Sequence, residues 1–96
     1  MRIHVKFEGL GNIYKAIGRK KDLDLEFPVD SVTVKDIINS LLKKYGDIIR
    51  KALLDKEGDI DMEIRVLHNN KDFLIYGQRM DIPLNEGDVL QFMSVG

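Results

Sequence analysis

The segment Thr33–Tyr45 constrains this chain more than any other. Val34, Ile37, Ile38, Leu41, Leu42 and Tyr45 recur at i, i+3, i+4, i+7, i+8 and i+11, which puts them in one apolar stripe of an α-helix. Thr33 with Asp36 reads as a capping box, and Val32 is placed to staple onto Ile37. Lys43 and Lys44 lie where the helix dipole favours cations, and Gly46 fits the position just past the end. One wide apolar stripe needs one broad apolar partner, and the flanking segments supply a sheet.

Arg2–Glu8 alternates, with Ile3, Val5 and Phe7 on one side and Arg2, His4, Lys6 and Glu8 on the other. Asp22–Phe27 alternates as well, with Leu23, Leu25 and Phe27 inward and Asp22, Asp24 and Glu26 outward. If the two strands pair antiparallel, basic outward residues oppose acidic ones. Gly9–Lys21 is too long for a tight hairpin, and Ile13, Tyr14 and Ile17 allow it one helical turn. Beyond the main helix, Asp47–Leu54 reads as a shorter helix and Asp55–Asp61 as a charged turn. Met62–His68 reads as a strand with Met62, Ile64 and Val66 on one side, and Asn69-Asn70 suits a hairpin turn because Asn tolerates positive φ. Phe73–Tyr76 is expected to be a short return strand, ended by Gly77, and Pro83 argues against a central strand around Ile82. Asn85–Asp88 reads as a turn and Val89–Met93 as the last strand.

Strand, strand, helix, strand, short strand, strand is the β-grasp order. It predicts an α+β, ubiquitin-like fold with a mixed sheet of four to five strands and one main helix packed on one face. The first and last strands should be central, parallel neighbours. No internal repeat or linker interrupts the 96 residues, so residues 1–96 are expected to form a single domain, near the usual ~100–150 residues.

The chemistry is narrowed mainly by exclusion. Fifteen Lys+Arg against sixteen Asp+Glu leave a net charge of −1, which does not suggest an obligate polyanion binder. With no cysteine there is no disulfide, thiol nucleophile or thiolate metal site. No apolar run approaches the ~20 residues of a membrane span, and the chain opens on a strand pattern, so a cytoplasmic protein with no membrane partner is expected. His4 and His68 fall on separate strands without ligand spacing. Asp55, Glu57, Asp59 and Asp61 alternate like a calcium loop, but Gly58 is at the wrong offset and no closing Glu follows, so no metal site is expected. Gly9-Leu10-Gly11 lacks the spacing of a phosphate loop. Lys15 and Arg19-Lys20-Lys21 form a basic run without interleaved aromatics, and nucleic acid is not an expected partner. Ser40 and Ser94 have no paired base.

What is left is the end of the chain. Ser94, Val95 and Gly96 follow the last expected strand and at ~3.5 Å per residue reach roughly 10 Å past the sheet. A glycine carboxylate enters a narrow slot without steric cost.

Arg2–Phe7, the Tyr14–Lys21 stretch leading into Leu23–Phe27, the capped helix and above all Gly77–Phe92, with its Leu84-x-x-Gly87-Asp88-Val89 turn, together resemble the MoaD/ThiS ubiquitin-like sulfur carriers. The resemblance covers essentially the whole chain and is closest to archaeal-type MoaD, the small subunit of molybdopterin synthase. It implies that Gly96 holds a carboxylate that a separate ubiquitin-activating-type enzyme adenylates with ATP. The adenylate is then converted to a thiocarboxylate, whose sulfur is delivered inside the large subunit of molybdopterin synthase. It implies no bound cofactor and catalytic residues that belong to the partners. Ser94 and Val95 would thread into the partner, and Phe7, Phe92 and Met93 would form an apolar docking surface. The family ends in Gly-Gly, usually after Pro-Pro and a small residue, whereas this chain reads Phe92-Met93-Ser94-Val95-Gly96. The sulfur acceptor stays open among molybdenum cofactor, which the resemblance puts first, thiamine and tRNA thiolation. Two other roles stay open: a ubiquitin-like protein modifier, and a non-catalytic docking module that binds a protein or RNA through the sheet face or the Lys15/Arg19–Lys21 patch.

Overall fold

The computed structural model describes residues 1–95. In chain order these form β1 (Arg2–Glu8), α1 (Gly11–Ala16), β2 (Asp22–Glu26), β3 (Val32–Thr33), α2 (Val34–Tyr45), α3 (Asp47–Leu53), β4 (Ile64–His68), β5 (Lys71–Asp72), a 3-10 helix (Tyr76–Asp81), β6 (Pro83–Leu84) and β7 (Val89–Ser94). Five strands make a mixed sheet in the order β2-β1-β7-β4-β5, and β3 pairs with β6 in a separate small ribbon. β1 and β7 are parallel and central, as the β-grasp order requires.

The alternation in β1 works as expected. Ile3, Val5 and Phe7 are buried, while Arg2, His4 and Lys6 lie opposite Glu26, Asp24 and Asp22 of β2 in antiparallel register. Arg2 Nε donates to Glu26 Oε1 at 2.9 Å. The inner faces of β1, β4 and β7 share one core with Ile37, Ile38 and Leu41 of α2. Each such side chain, fully withdrawn from water, contributes about 1.5–3 kcal/mol. Thr33 caps α2, and its backbone N–H donates to the Asp36 carboxylate at 2.8 Å. Gly46 ends the helix at φ +77, a conformation that favours glycine.

Three local expectations are corrected. Met62 lies outside β4 and is 72% exposed, because Asp61 accepts the Glu63 amide on its side chain and the Ile64 amide on its carbonyl, which holds the chain in a turn up to Ile64. Phe73–Tyr76 is not a strand. Pairing with β4 stops at Asp72 apart from a single bond from Phe73 N–H to the Val66 carbonyl, and the chain then enters the 3-10 helix with Leu74 and Ile75 exposed. Ser94, expected in a free tail, is the last residue of β7 and pairs with Ile64. Pro83 sits in the two-residue β6, outside the main sheet.

Candidate functional site

β7 delivers the end of the described chain to one rim of the sheet between two neighbours. On one side Phe92 and Met93 lie beside Phe7 and Glu8 of β1, and on the other Met93 and Ser94 lie beside Arg65 and Ile64 of β4. One residue further on, the Val95 amide donates to the Glu63 carbonyl at 3.1 Å. Val95 is 53% exposed, and Met93 and Ser94 are half-buried. Ser94 and Val95 are therefore held as an extension of the sheet, and the free reach expected from three unpaired residues is shortened accordingly. Gly96, the expected bearer of the reactive carboxylate, lies outside the described residues.

Gly9 lies against this rim. Its φ is +70, and a Cβ built there would sit 3.4 Å from the Ser94 Cβ. Beside it opens a shallow concavity of about 480 Å³, bordered by Lys6, Glu8, Leu10, Tyr14, Lys21 and Gln91. Gln91 Nε2 donates to Glu8 Oε2 at 2.9 Å across the β1–β7 pair.

The docking role expected for Phe7 and Phe92 is corrected. Strand register turns both rings into the core, where they are 5% and 0% exposed and stack 6.0 Å apart at 17°. In the folded chain they offer a partner almost no surface; they brace the strand that carries the tail. Met93, Ser94 and Val95 are the expected contact residues that keep exposed surface.

His4 and the Asp55 carboxylate of the charged turn have structural partners. His4 lies 2.7 Å from Asp24 and 3.2 Å from Asp22, and its hydrogen bond holds the Asp24 carboxyl below the ordinary range. In the charged turn, Asp55 accepts the Glu57 and Asp59 amides at 2.9 and 3.0 Å, so this carboxylate serves the backbone. Among the described residues no group of three or more His, Asp or Glu is placed to hold a metal ion. No helix among them is long and apolar enough to cross a membrane.

The sequence reading missed Arg79, which is 1% exposed within the 3-10 helix. Its guanidinium donates to the Ile64 carbonyl through Nη1 and to the Ile60 and Asp61 carbonyls through Nη2, the last two at 3.0 Å each. No local pattern marks it, since the acceptors lie 15 to 19 positions upstream.

The family model for Urm1, ubiquitin related modifier, matches residues 2–95. The chain belongs to the Urm1 family. This agrees with the ubiquitin-like carrier resemblance read from its residues and places the chain among ubiquitin-like carriers and modifiers. Among solved structures, Urm1 from Trypanosoma brucei is 27% identical with a TM-score of 0.77, covering 99% of this chain and 92% of that one. The Haloferax volcanii HVO 2177 protein is 22% identical with a TM-score of 0.75, covering 100% and 84%. SAMP1 from Haloferax volcanii is 17% identical with a TM-score of 0.73, covering 98% and 94%. The latter two bear on the fold alone. No match is found among curated protein sequences.

Proposed function

We propose that this Urm1-family chain is a cytoplasmic sulfur carrier whose working group is the Gly96 carboxylate. The observation that carries the reading is the family match over residues 2–95, on a body whose central strand β7 leads to the sheet rim with Val95 exposed. A compact sheet-and-helix body with Val95 exposed at its rim suits a substrate passed between enzymes, with the nucleotide site and acid–base groups on the partners. The carboxylate attacks the α-phosphorus of ATP on a ubiquitin-activating-type enzyme and pyrophosphate leaves. A sulfur donor then displaces AMP to form the thiocarboxylate. Met93, Ser94 and Val95 are the residues proposed to contact partners. The proposed acceptor is a pterin precursor held by the large subunit of molybdopterin synthase. It rests on the MoaD-like stretch Gly77–Phe92; the likeness to a molybdopterin converting factor subunit from Pyrococcus furiosus, at 17% identity, supports the fold only.

A second reading, favoured by the family's description as a ubiquitin related modifier, ends the same activation differently. The activated carboxyl group passes to a lysine amine of a target protein and forms an isopeptide bond.

Intact-protein mass spectrometry tests both. The full chain, incubated with ATP, a sulfur donor and its cognate activating enzyme, should gain the mass of one oxygen-to-sulfur exchange and lose that gain when Gly96 is deleted. Adducts on target lysines without pterin conversion would select the modifier. No mass change with the genuine activating enzyme removes the carrier reading. Partner capture that survives loss of Ser94–Gly96 but fails with Lys20→Glu plus Lys21→Glu would indicate a docking module.

A further inference from the structure

We propose that Arg79 is a positioning residue for the chain's end, fixing the direction in which Ser94 and Val95 leave the sheet. A buried guanidinium costs much unless its donors are satisfied, and a carboxylate is the usual partner. Among the described residues Arg79 forms no ion pair. Burial pulls its pKa down, while Tyr76 and the more distant Asp59, Asp72 and Asp61 raise it only in part. Instead Nη1 and Nη2 are spent on the carbonyls of Ile60, Asp61 and Ile64, with the guanidinium carbon 4.2 Å from the centre of the Tyr76 ring, while Nε is buried without a hydrogen-bond partner.

Those acceptors bracket the backbone that receives the tail. Ile64 pairs with Ser94, and the Glu63 carbonyl, between Asp61 and Ile64, accepts the Val95 amide. The Ile64 amide in turn bonds the Asp61 carbonyl at 3.0 Å, so clamped carbonyls flank the tail's acceptor. With the fork removed, residues 60–64 keep their covalent path but lose the bonds that orient the Glu63 carbonyl. That this matters for carboxylate chemistry rests on the carrier reading; the clamp itself does not.

Hydrogen exchange followed by NMR on the full chain tests it. In Arg79→Met, which keeps much of the volume, and Arg79→Lys, which keeps the charge without the fork, the Val95 amide should exchange roughly tenfold faster or more relative to core amides such as Val5 and Ile38. Arg79→Lys should lie between wild type and Arg79→Met. An unchanged Val95 rate in a folded variant overturns the proposal, as does acceleration in proportion to the core. If neither variant folds, the native chain decides. The Ile64 and Val95 amides and the hydrogen-bonded Arg79 Nη protons should then open together at low denaturant, and protected Arg79 Nη protons beside a freely exchanging Val95 overturn the clamp. Sulfur loading is measured in parallel. If wild type fails to load, the carrier reading falls while the exchange data still decide the clamp.

Discussion

The His68 Nε2 lies 2.7 Å from Asp88 Oδ2 and ties the turn between β4 and β5 to the turn that feeds β7. Asp88 also accepts the Asn85 amide at 2.8 Å and the Asn69 side-chain amide at 3.1 Å, and Asn69 returns a bond by accepting the Val89 amide at 2.8 Å. One nearly buried carboxylate thus organises two turns and the first residue of the last strand.

This junction predicts a specific acid response. Burial pushes the Asp88 carboxyl up, but the bonds from Asn85, His68 and Asn69 outweigh it and hold the carboxyl below the ordinary carboxylate range. A carboxyl depressed in the folded state contributes its full stability above the unfolded value, near ~3.9, and loses it as pH falls through the lower native value. Asp88→Asn should therefore cost roughly 1–3 kcal/mol at neutral pH. It should also flatten the decline below about pH 4, as followed by urea denaturation across pH.

Phe92→Ala should lower stability by about 3–5 kcal/mol, because a wholly buried ring stacked on Phe7 leaves a cavity at the centre of the sheet. Phe92→Leu should cost less and leave partner affinity near wild type in a direct binding titration. A large affinity loss in a well-folded Phe92→Leu would restore the docking role first expected of this residue.

Two glycines separate backbone strain from contact with the tail. Gly9 and Gly46 both have positive φ, at +70 and +77, and alanine at either should cost roughly 1–2 kcal/mol. A Cβ at Gly46 meets nothing within 4 Å, whereas one at Gly9 meets Ser94. Both variants should lower the denaturation midpoint, and only Gly9→Ala should shift the Ser94 and Val95 amide resonances.

The elements set by local chemistry could be read from the residues before the structure. The alternation of Arg2–Glu8, the stripe and cap of Thr33–Tyr45 and the Asn69-Asn70 turn each carry their signal within a few positions, and Asn69 and Asn70 do take positive φ. Elements decided by distant partners could not. Phe73–Tyr76 is apolar enough for a strand, but the chain turns away once Arg79 finds carbonyls far upstream. Ser94 looks like tail by composition and becomes strand because Ile64 and Glu63 continue the ladder beside it. At the candidate site, the alternation that put Phe7 on the same side as Ile3 and Val5 holds and turns its ring into the core, and Phe92, in register beside it, is buried with it.

The parallel pairing of β1 with β7 has a consequence for biosynthesis. β1 finds its parallel neighbour only among residues 89–94, so the sheet stays split while the residues between them are made. A nascent chain halted early would show an apolar strand edge to chaperones and proteases, and only molecules whose synthesis had run through residues 89–94 would carry the closed sheet.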